Sequence, residues 1–254
     1  MKKYLYYLIL AVALVTTPTY AKDPTYKKDP KELKIHSIYK DFIFAKKAKE
    51  LKIYGKTYGE WSAQWTKWAY AEPSATNAIK DTSGEYCDLN QDDPNVWFLA
   101  GSFGTTEVRN CTIPKGRALF YPLIEGGWID CPPPSTDSEI SEAIIRQIIA
   151  IGKDDASSLT STLDEAPISS LSSQILTVRT QSPVFKVNLP DDNVVGDAGC
   201  GQPTYPSGIS GRQIIDGYWV MLPPLSSGKH VLTLHGAALG VPFENEVTYN
   251  LTVE

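Results

Sequence analysis

Acidic side chains beside aromatic or glycine-rich segments are the groups in this 254-residue chain with the clearest capacity for chemistry. Glu60, Glu125, Asp130 and Asp216 occupy such segments. A cleft there can raise a carboxyl pKa and prepare the group for proton transfer. Two carboxylates at a suitable separation hydrolyse glycosidic bonds. The sequence gives no distance between them, so a hydrolase with a carboxylate pair is kept as an alternative function.

Serine and metal chemistry find less support. There is no Gly-x-Ser-x-Gly motif, and His230 and His235 are five residues apart on a predicted strand, so they point to opposite faces. The run from Asp88 to Asp93 begins like a calcium loop. It lacks the central glycine and, at Leu99, the final glutamate of an EF-hand. A looser calcium site is left as an alternative to a solvated loop, and no metal or cofactor is expected.

Three tryptophans share one face of a predicted helix that Pro73 ends. Their spacing of i, i+4 and i+7 is typical of a stripe packed on a sheet, because indoles bury a large apolar area. A platform on which sugars stack is the functional alternative. The candidate binding residues are therefore Trp61, Trp65, Trp68, Glu60, Glu125 and Asp130.

The N-terminus has the three parts of a secretory signal. Met1-Lys2-Lys3 supplies a positive start, the run from Tyr4 to Val15 is apolar, and Thr19 and Ala21 are small. The apolar run is shorter than the roughly 20 residues that span a bilayer, and no later segment is long enough. The sequence predicts a signal peptide over residues 1–21 and a soluble protein that is secreted or periplasmic.

All four cysteines follow the predicted cleavage site, in a compartment that oxidises thiols. Cys87 and Cys111 bracket one apolar strand, which brings its two flanks together. Of the three connectivities that four cysteines permit, we therefore expect Cys87–Cys111 and Cys131–Cys200. Zinc is the rival, but no Cys-x-x-Cys pair is present.

Charge is distributed unevenly along the chain. Residues 22–56 contain 11 Lys against 5 acids, whereas residues 57–254 contain 11 Lys and Arg against 24 acids. We call residues 22–56 the basic arm, and expect a helix within it that begins at Asp29 and Pro30. The arm either contacts an anionic envelope surface or docks on the acidic body. An acidic exported body is a poor partner for nucleic acid.

The remaining residues, 57–254, are predicted to form a single β-sandwich-like domain. Continuous apolar runs at 96–100 and 118–124 indicate strands buried on both faces, and short strands separated by turns follow residue 159. The expected class is mainly β with a few helices (α+β). We expect an antiparallel β-sandwich of jelly-roll or immunoglobulin-like type, with two or three peripheral helices.

One further helix is predicted after the capping box Thr136-Asp137-Ser138-Glu139. Isoleucines at 140, 144, 148 and 151 follow at spacings of three and four. We expect that face to be buried.

Several motifs resemble a family of uncharacterised secreted bacterial proteins. They are WSxxWxxW within residues 58–68, VWFLAG at 96–101 and RxCxIPxGxxLFxPL at 109–123, with similar endings at 224–230 and 247–253. The resemblance covers most of residues 57–254 and excludes the basic arm. It implies export and supplies no catalytic residue.

Two functions from different classes remain. A non-catalytic binding module that holds a glycan, a small molecule or a protein is preferred, because nucleophile and metal motifs are missing and sandwiches often serve as recognition scaffolds. The secreted hydrolase is the alternative, so the sequence leaves open whether the protein is an enzyme.

Overall fold

Strands dominate the described part of the chain, which in this computed structural model comprises residues 51–168, 176–196, 198–238 and 243–254. The helices are α1 (Tyr58–Ala71) and α2 (Glu142–Asp154), with 3-10 turns at Ser74–Thr76 and Asp137–Glu139. The strands are β1 (Val96–Phe98), β2 (Thr106–Ile113), β3 (Ala118–Ile129), β4 (Ala156–Leu163), β5 (Ala166–Pro167), β6 (Leu176–Gln181), β7 (Asn188–Leu189), β8 (Gly208–Ile209), β9 (Gln213–Leu222), β10 (Gly228–Ala238) and β11 (Phe243–Val253). None of the described helices is long and apolar enough to cross a membrane.

Two larger sheets organise these strands. The central sheet has the order β1-β3-β9-β6, the outer sheet has the order β2-β11-β10-β4-β5, and β7 and β8 form a separate pair. Side chains of both sheets interdigitate in one apolar cluster, which includes Leu119 and Val220 of the central sheet and Leu234 and Tyr249 of the outer sheet. The described residues belong to one compact unit.

Helix α1 covers the other face of the central sheet. Its N-terminus is fixed by a capping box, in which the Thr57 hydroxyl accepts from the Glu60 N–H while the Glu60 carboxylate accepts from the Thr57 N–H at 2.7 Å. The tryptophan face then packs on the sheet, where Phe120 and Trp219 are stacked with ring centroids 5.2 Å apart. The central sheet is therefore buried on both faces, which explains its continuous apolar runs.

A buried guanidinium ties the strands to the loops around them. Arg109 of β2 is 1% exposed. It donates to the Tyr249 hydroxyl at 2.9 Å and to four main-chain carbonyls, those of Ile79, Asp81, Ala100 and Gly101. A charge out of water requires such partners, so this one side chain fixes the positions of residues 79–81 and 100–101.

The fold class predicted from the sequence is confirmed: the chain is mainly β with two helices in the described part. The sheets are mixed, however, because β1 pairs with β3 and β2 pairs with β11 in parallel. Each parallel pair joins strands separated by another element, so a tight antiparallel hairpin does not connect them. The jelly-roll or immunoglobulin-like type stays a prediction.

Both predicted disulfides are present, Cys87–Cys111 and Cys131–Cys200. The predicted signal peptide lies outside the described residues. The helix predicted in the basic arm lies almost wholly outside them.

The isoleucine face predicted for the second helix is wrong. Helix α2 begins at Glu142, with the Ser141 hydroxyl as its cap, and it buries Ile145 and Ile149 against Ile214 of β9. Ile144, Ile148 and Ile151 are exposed. The helix carries two isoleucine stripes, one with Ile145 and Ile149 and the other with Ile144, Ile148 and Ile151. Packing against Ile214 buries the first stripe, whereas the sequence spacing predicted burial of the second.

Replacement of Trp65 tests whether the tryptophan face is core. Its ring lies 5.4 Å from Trp219, and its indole N–H donates to the Leu99 carbonyl at 2.8 Å. Trp65→Ala should lower the free energy of unfolding by roughly 3–5 kcal/mol. Trp65→Phe should lower it by a smaller amount. The exposed Val108→Ala is the control and should change stability by less than about 0.5 kcal/mol. Urea unfolding measures all three; an unchanged midpoint for Trp65→Ala would contradict the assignment.

Candidate functional site

One cavity lies where α1 ends and leaves the far end of β3 and β9 uncovered. Its volume is about 520 Å³, within the range of small-molecule sites. The lining combines aromatic and aliphatic side chains with polar side chains and the Cys131–Cys200 disulfide. Its main contributors are Tyr70, Phe103, Trp128, Ile129, Val194, Val195, Ile215, Ser135, Asp137 and Gln213. We call it the larger cavity.

A second cavity of about 170 Å³ adjoins the first and is called the smaller cavity. Phe103 lines both, and its side chain is 52% exposed. The smaller cavity is otherwise lined by residues of α1, β3, β11 and the loops beside them, among them Trp65, Ile124, Glu125, Phe243 and Asn245. In the part of the chain that the structure describes, no lysine, arginine or histidine lines either cavity.

Glu125 is the unusual group of the smaller cavity. It is partly buried on β3, and its Oε2 atom is shielded from solvent without a hydrogen-bond partner among the described residues. Burial raises the pKa of Glu125 above its usual range, and the charge of Lys153 opposes this rise. Tyr70 is close enough for the carboxylate charge to add to the burial that raises the pKa of the Tyr70 hydroxyl.

The neighbouring strand leaves room for this carboxyl group. Glu125 pairs with Gly217 of β9, where a Cβ atom would come within 2.8 Å of the Glu125 Cβ. A side chain at Gly217 would therefore crowd Glu125, and glycine at this register position is a requirement of the site.

The loop that carries Phe103 is fastened on both sides. Asn245 accepts from the Ser102 N–H at 2.6 Å and donates to the Leu123 carbonyl at 3.0 Å. Arg109 holds the Gly101 carbonyl at 3.0 Å. The exposed aromatic ring is thus presented by a held loop, as expected of a side chain that contacts a ligand.

The other predicted carboxylates have structural partners. Glu60 caps α1, and hydrogen bonds from Thr57 lower its pKa. Asp130 accepts from the Trp128 indole at 2.8 Å and from Arg212 at 3.0 Å. Asp216 pairs with Arg179 at 3.2 Å. Of the four acids, only Glu125 lines a cavity described here.

The candidate tryptophans lie in the core and use their polar atoms internally. Trp61, Trp65 and Trp68 are at most 7% exposed. Their indole N–H groups donate to the carbonyls of Ile53, Leu99 and Leu89. The edges of Trp61 and Trp68 reach another cavity, of about 490 Å³. This burial favours the core interpretation, and a ligand role for these residues stays a prediction.

The acidic loop from Asp88 to Asp93 makes internal contacts. Asp93 accepts from the N–H groups of Asn95 and Val96 and pairs with Lys56 at 3.4 Å. Among the described residues, no group of three His, Cys, Asp or Glu side chains is arranged to hold a metal ion.

A serine, a histidine and an aspartate meet at the start of β10. His230 Nδ1 lies 2.8 Å from Asp164 Oδ2, and Nε2 lies 3.2 Å from the Ser226 hydroxyl. Nε2 is closer, at 3.0 Å, to the Ser226 carbonyl, which only accepts. The hydrogen bond to Asp164 raises the pKa of His230, and a ring that donates from both nitrogens cannot take a proton from serine. The cluster therefore closes a turn.

Sequence reasoning missed most of the lining of the larger cavity. Tyr70 follows the tryptophan stripe, Phe103 lies in a loop, and Val194 and Val195 belong to a turn-rich segment. The sequence feature that could have indicated this lining is the number of apolar residues in loops and turn-rich segments. It does not indicate which segments come together.

Removal of the Glu125 carboxylate should stabilise the protein at neutral pH. The unfolded chain ionises this group near its usual value of 4.5, whereas the folded chain keeps the proton to higher pH. Folded stability therefore falls as the pH rises through that window. At pH 7 the free energy of unfolding of Glu125→Gln should be higher than that of the wild type by roughly 1–3 kcal/mol, which is the cost of an unpaired buried group. This difference should shrink toward pH 4.

Urea unfolding at the two pH values measures this difference. Glu60→Gln is the matched control and should destabilise at pH 7, because its carboxylate has partners. A Glu125→Gln protein that is less stable than the wild type at pH 7 would mean that Glu125 is satisfied in the folded state.

Comparison of the chain with protein-family models, curated proteins and solved structures found no match.

Proposed function

We propose that this chain is an exported, non-catalytic binding module that holds a small molecule in the larger cavity. The observation that carries the proposal is the cavity itself: about 520 Å³, lined by aromatic and aliphatic side chains together with the polar side chains of Ser135, Asp137 and Gln213. Sites for small ligands have this composition.

The contacts of the acids favour binding over hydrolysis. A carboxylate pair needs two groups that converge on one substrate bond. Glu60, Asp130 and Asp216 are engaged with a helix terminus or an arginine. Asp137, the carboxylate of the larger cavity, accepts from the Cys131 N–H at 2.9 Å. The two disulfides and the signal-like N-terminus support export.

A thermal-shift screen of the mature, disulfide-intact protein against glycans, metals and metabolites tests the proposal. A ligand at 100 times its Kd stabilises the native state by about 2.7 kcal/mol, which for a chain of this size corresponds to a Tm increase of roughly 5–10 °C.

Replacement of either of two serines by tryptophan tests whether a ligand found in the screen binds in the larger cavity. Ser135 lines it and Ser138 lies exposed three residues later in the same segment. Ser135→Trp should fill the cavity and abolish the Tm increase, while Ser138→Trp should retain it. A hit that survives Ser135→Trp, or a screen without hits, would contradict the proposed function.

A further inference from the structure

Glu125 differs from the other shielded polar side chains of the described residues. Four polar side-chain atoms there have neither solvent nor a hydrogen-bond partner: Trp97 Nε1, Arg212 Nε, Trp219 Nε1 and Glu125 Oε2. Glu125 supplies the one acceptor in this set, and it alone lines one of the two cavities. An unpaired carboxylate oxygen costs free energy that a donor from a ligand would recover.

Among the residues that the structure describes, basic side chains do not supply that donor. Neither cavity has a lysine, arginine or histidine in its described lining. Burial raises the pKa of Glu125 and the charge of Lys153 opposes this rise, without a hydrogen bond between the two side chains. The Lys153 ammonium lies against Gly126, 2.8 Å from where a Cβ would stand. Adjacent strand residues point to opposite faces, so this ammonium packs on the face away from Glu125.

The remaining walls suit an apolar or aromatic substituent. Trp65, Phe103 and Phe243 line the smaller cavity, and aromatic faces attract cations as well as apolar groups. Its volume of about 170 Å³ is close to that of a cavity that accommodates benzene. The acidic surplus of residues 57–254 also favours approach of a cation.

We propose that the smaller cavity binds a small primary amine in its ammonium form, with Glu125 receiving the charged group and the aromatic walls receiving its apolar substituent. This inference rests on the proposed function and names the ligand class. Phe103, shared by both cavities, lets one ligand extend from the ammonium site into the larger cavity.

Benzylamine is the probe, and benzyl alcohol is its neutral counterpart of nearly equal shape. Calorimetric titration of the mature, disulfide-intact protein at pH 7 should give saturable benzylamine binding, with benzyl alcohol at least tenfold weaker. Glu125→Gln should lower the affinity for benzylamine at least tenfold and leave the affinity for benzyl alcohol unchanged. Glu60→Gln, which alters a carboxylate outside both cavities, should bind benzylamine as the wild type does. A melt of each variant verifies folding.

Three results would overturn the inference: no benzylamine binding, equal binding of the alcohol, or full affinity in Glu125→Gln. Ligands from the thermal-shift screen separate this failure from that of the proposed function. Suppose that such a ligand binds the wild type, that Ser135→Trp abolishes this binding, and that benzylamine does not bind. The larger cavity is then a binding site and the ammonium assignment is wrong. If both fail, the proposed function is wrong as well.

Discussion

The burial of the Arg109 guanidinium is the constraint on which the geometry of the cavities depends. A charged group can leave water only if its donors are satisfied, and here the partners are main-chain carbonyls of two separate loops together with Tyr249. The loops must therefore converge on β2. One of them continues through Gly101 to Phe103, so the hydrogen bonds that solvate the arginine also position the aromatic ring between the two cavities.

Coverage of the central sheet determines where a ligand has access. Helix α1 covers one face and the outer sheet covers the other, but α1 ends at Ala71, before the far ends of β3 and β9. At that edge the Glu125 Oε2 atom has no hydrogen-bond partner among the described residues, and Gly217 lies beside it. An arrangement that costs stability and is not compensated by the described residues is typical of a binding site.

Much of the framework follows from local sequence patterns. Strands β1 and β3 fall on the predicted apolar runs at 96–100 and 118–124, and helix α1 and both disulfides agree with the predictions, because apolar runs and helical spacing act over a few residues. The capping box predicted at 136–139 was wrong, since Ser141 caps α2. The buried stripe of α2 was wrong, since Ile145 competes with Ile144 and only Ile214 on the sheet decides between them. Glu125 was one acid among several in the sequence; Gly217, which pairs with it, and Phe103, which lines the same cavity, are distant along the chain.

The proposed ammonium site requires Glu125 to be a carboxyl group without a partner in the free protein. The most direct test is its titration by carbon-13 NMR of labelled glutamate carboxyls, with Glu125→Gln used to assign the signal. We expect a pKa above the usual 4.5 in the free protein. This pKa should fall when benzylamine saturates the site, because an ammonium partner favours the ionised form. A pKa at or below 4.5 in the free protein, unchanged by benzylamine, would contradict this expectation.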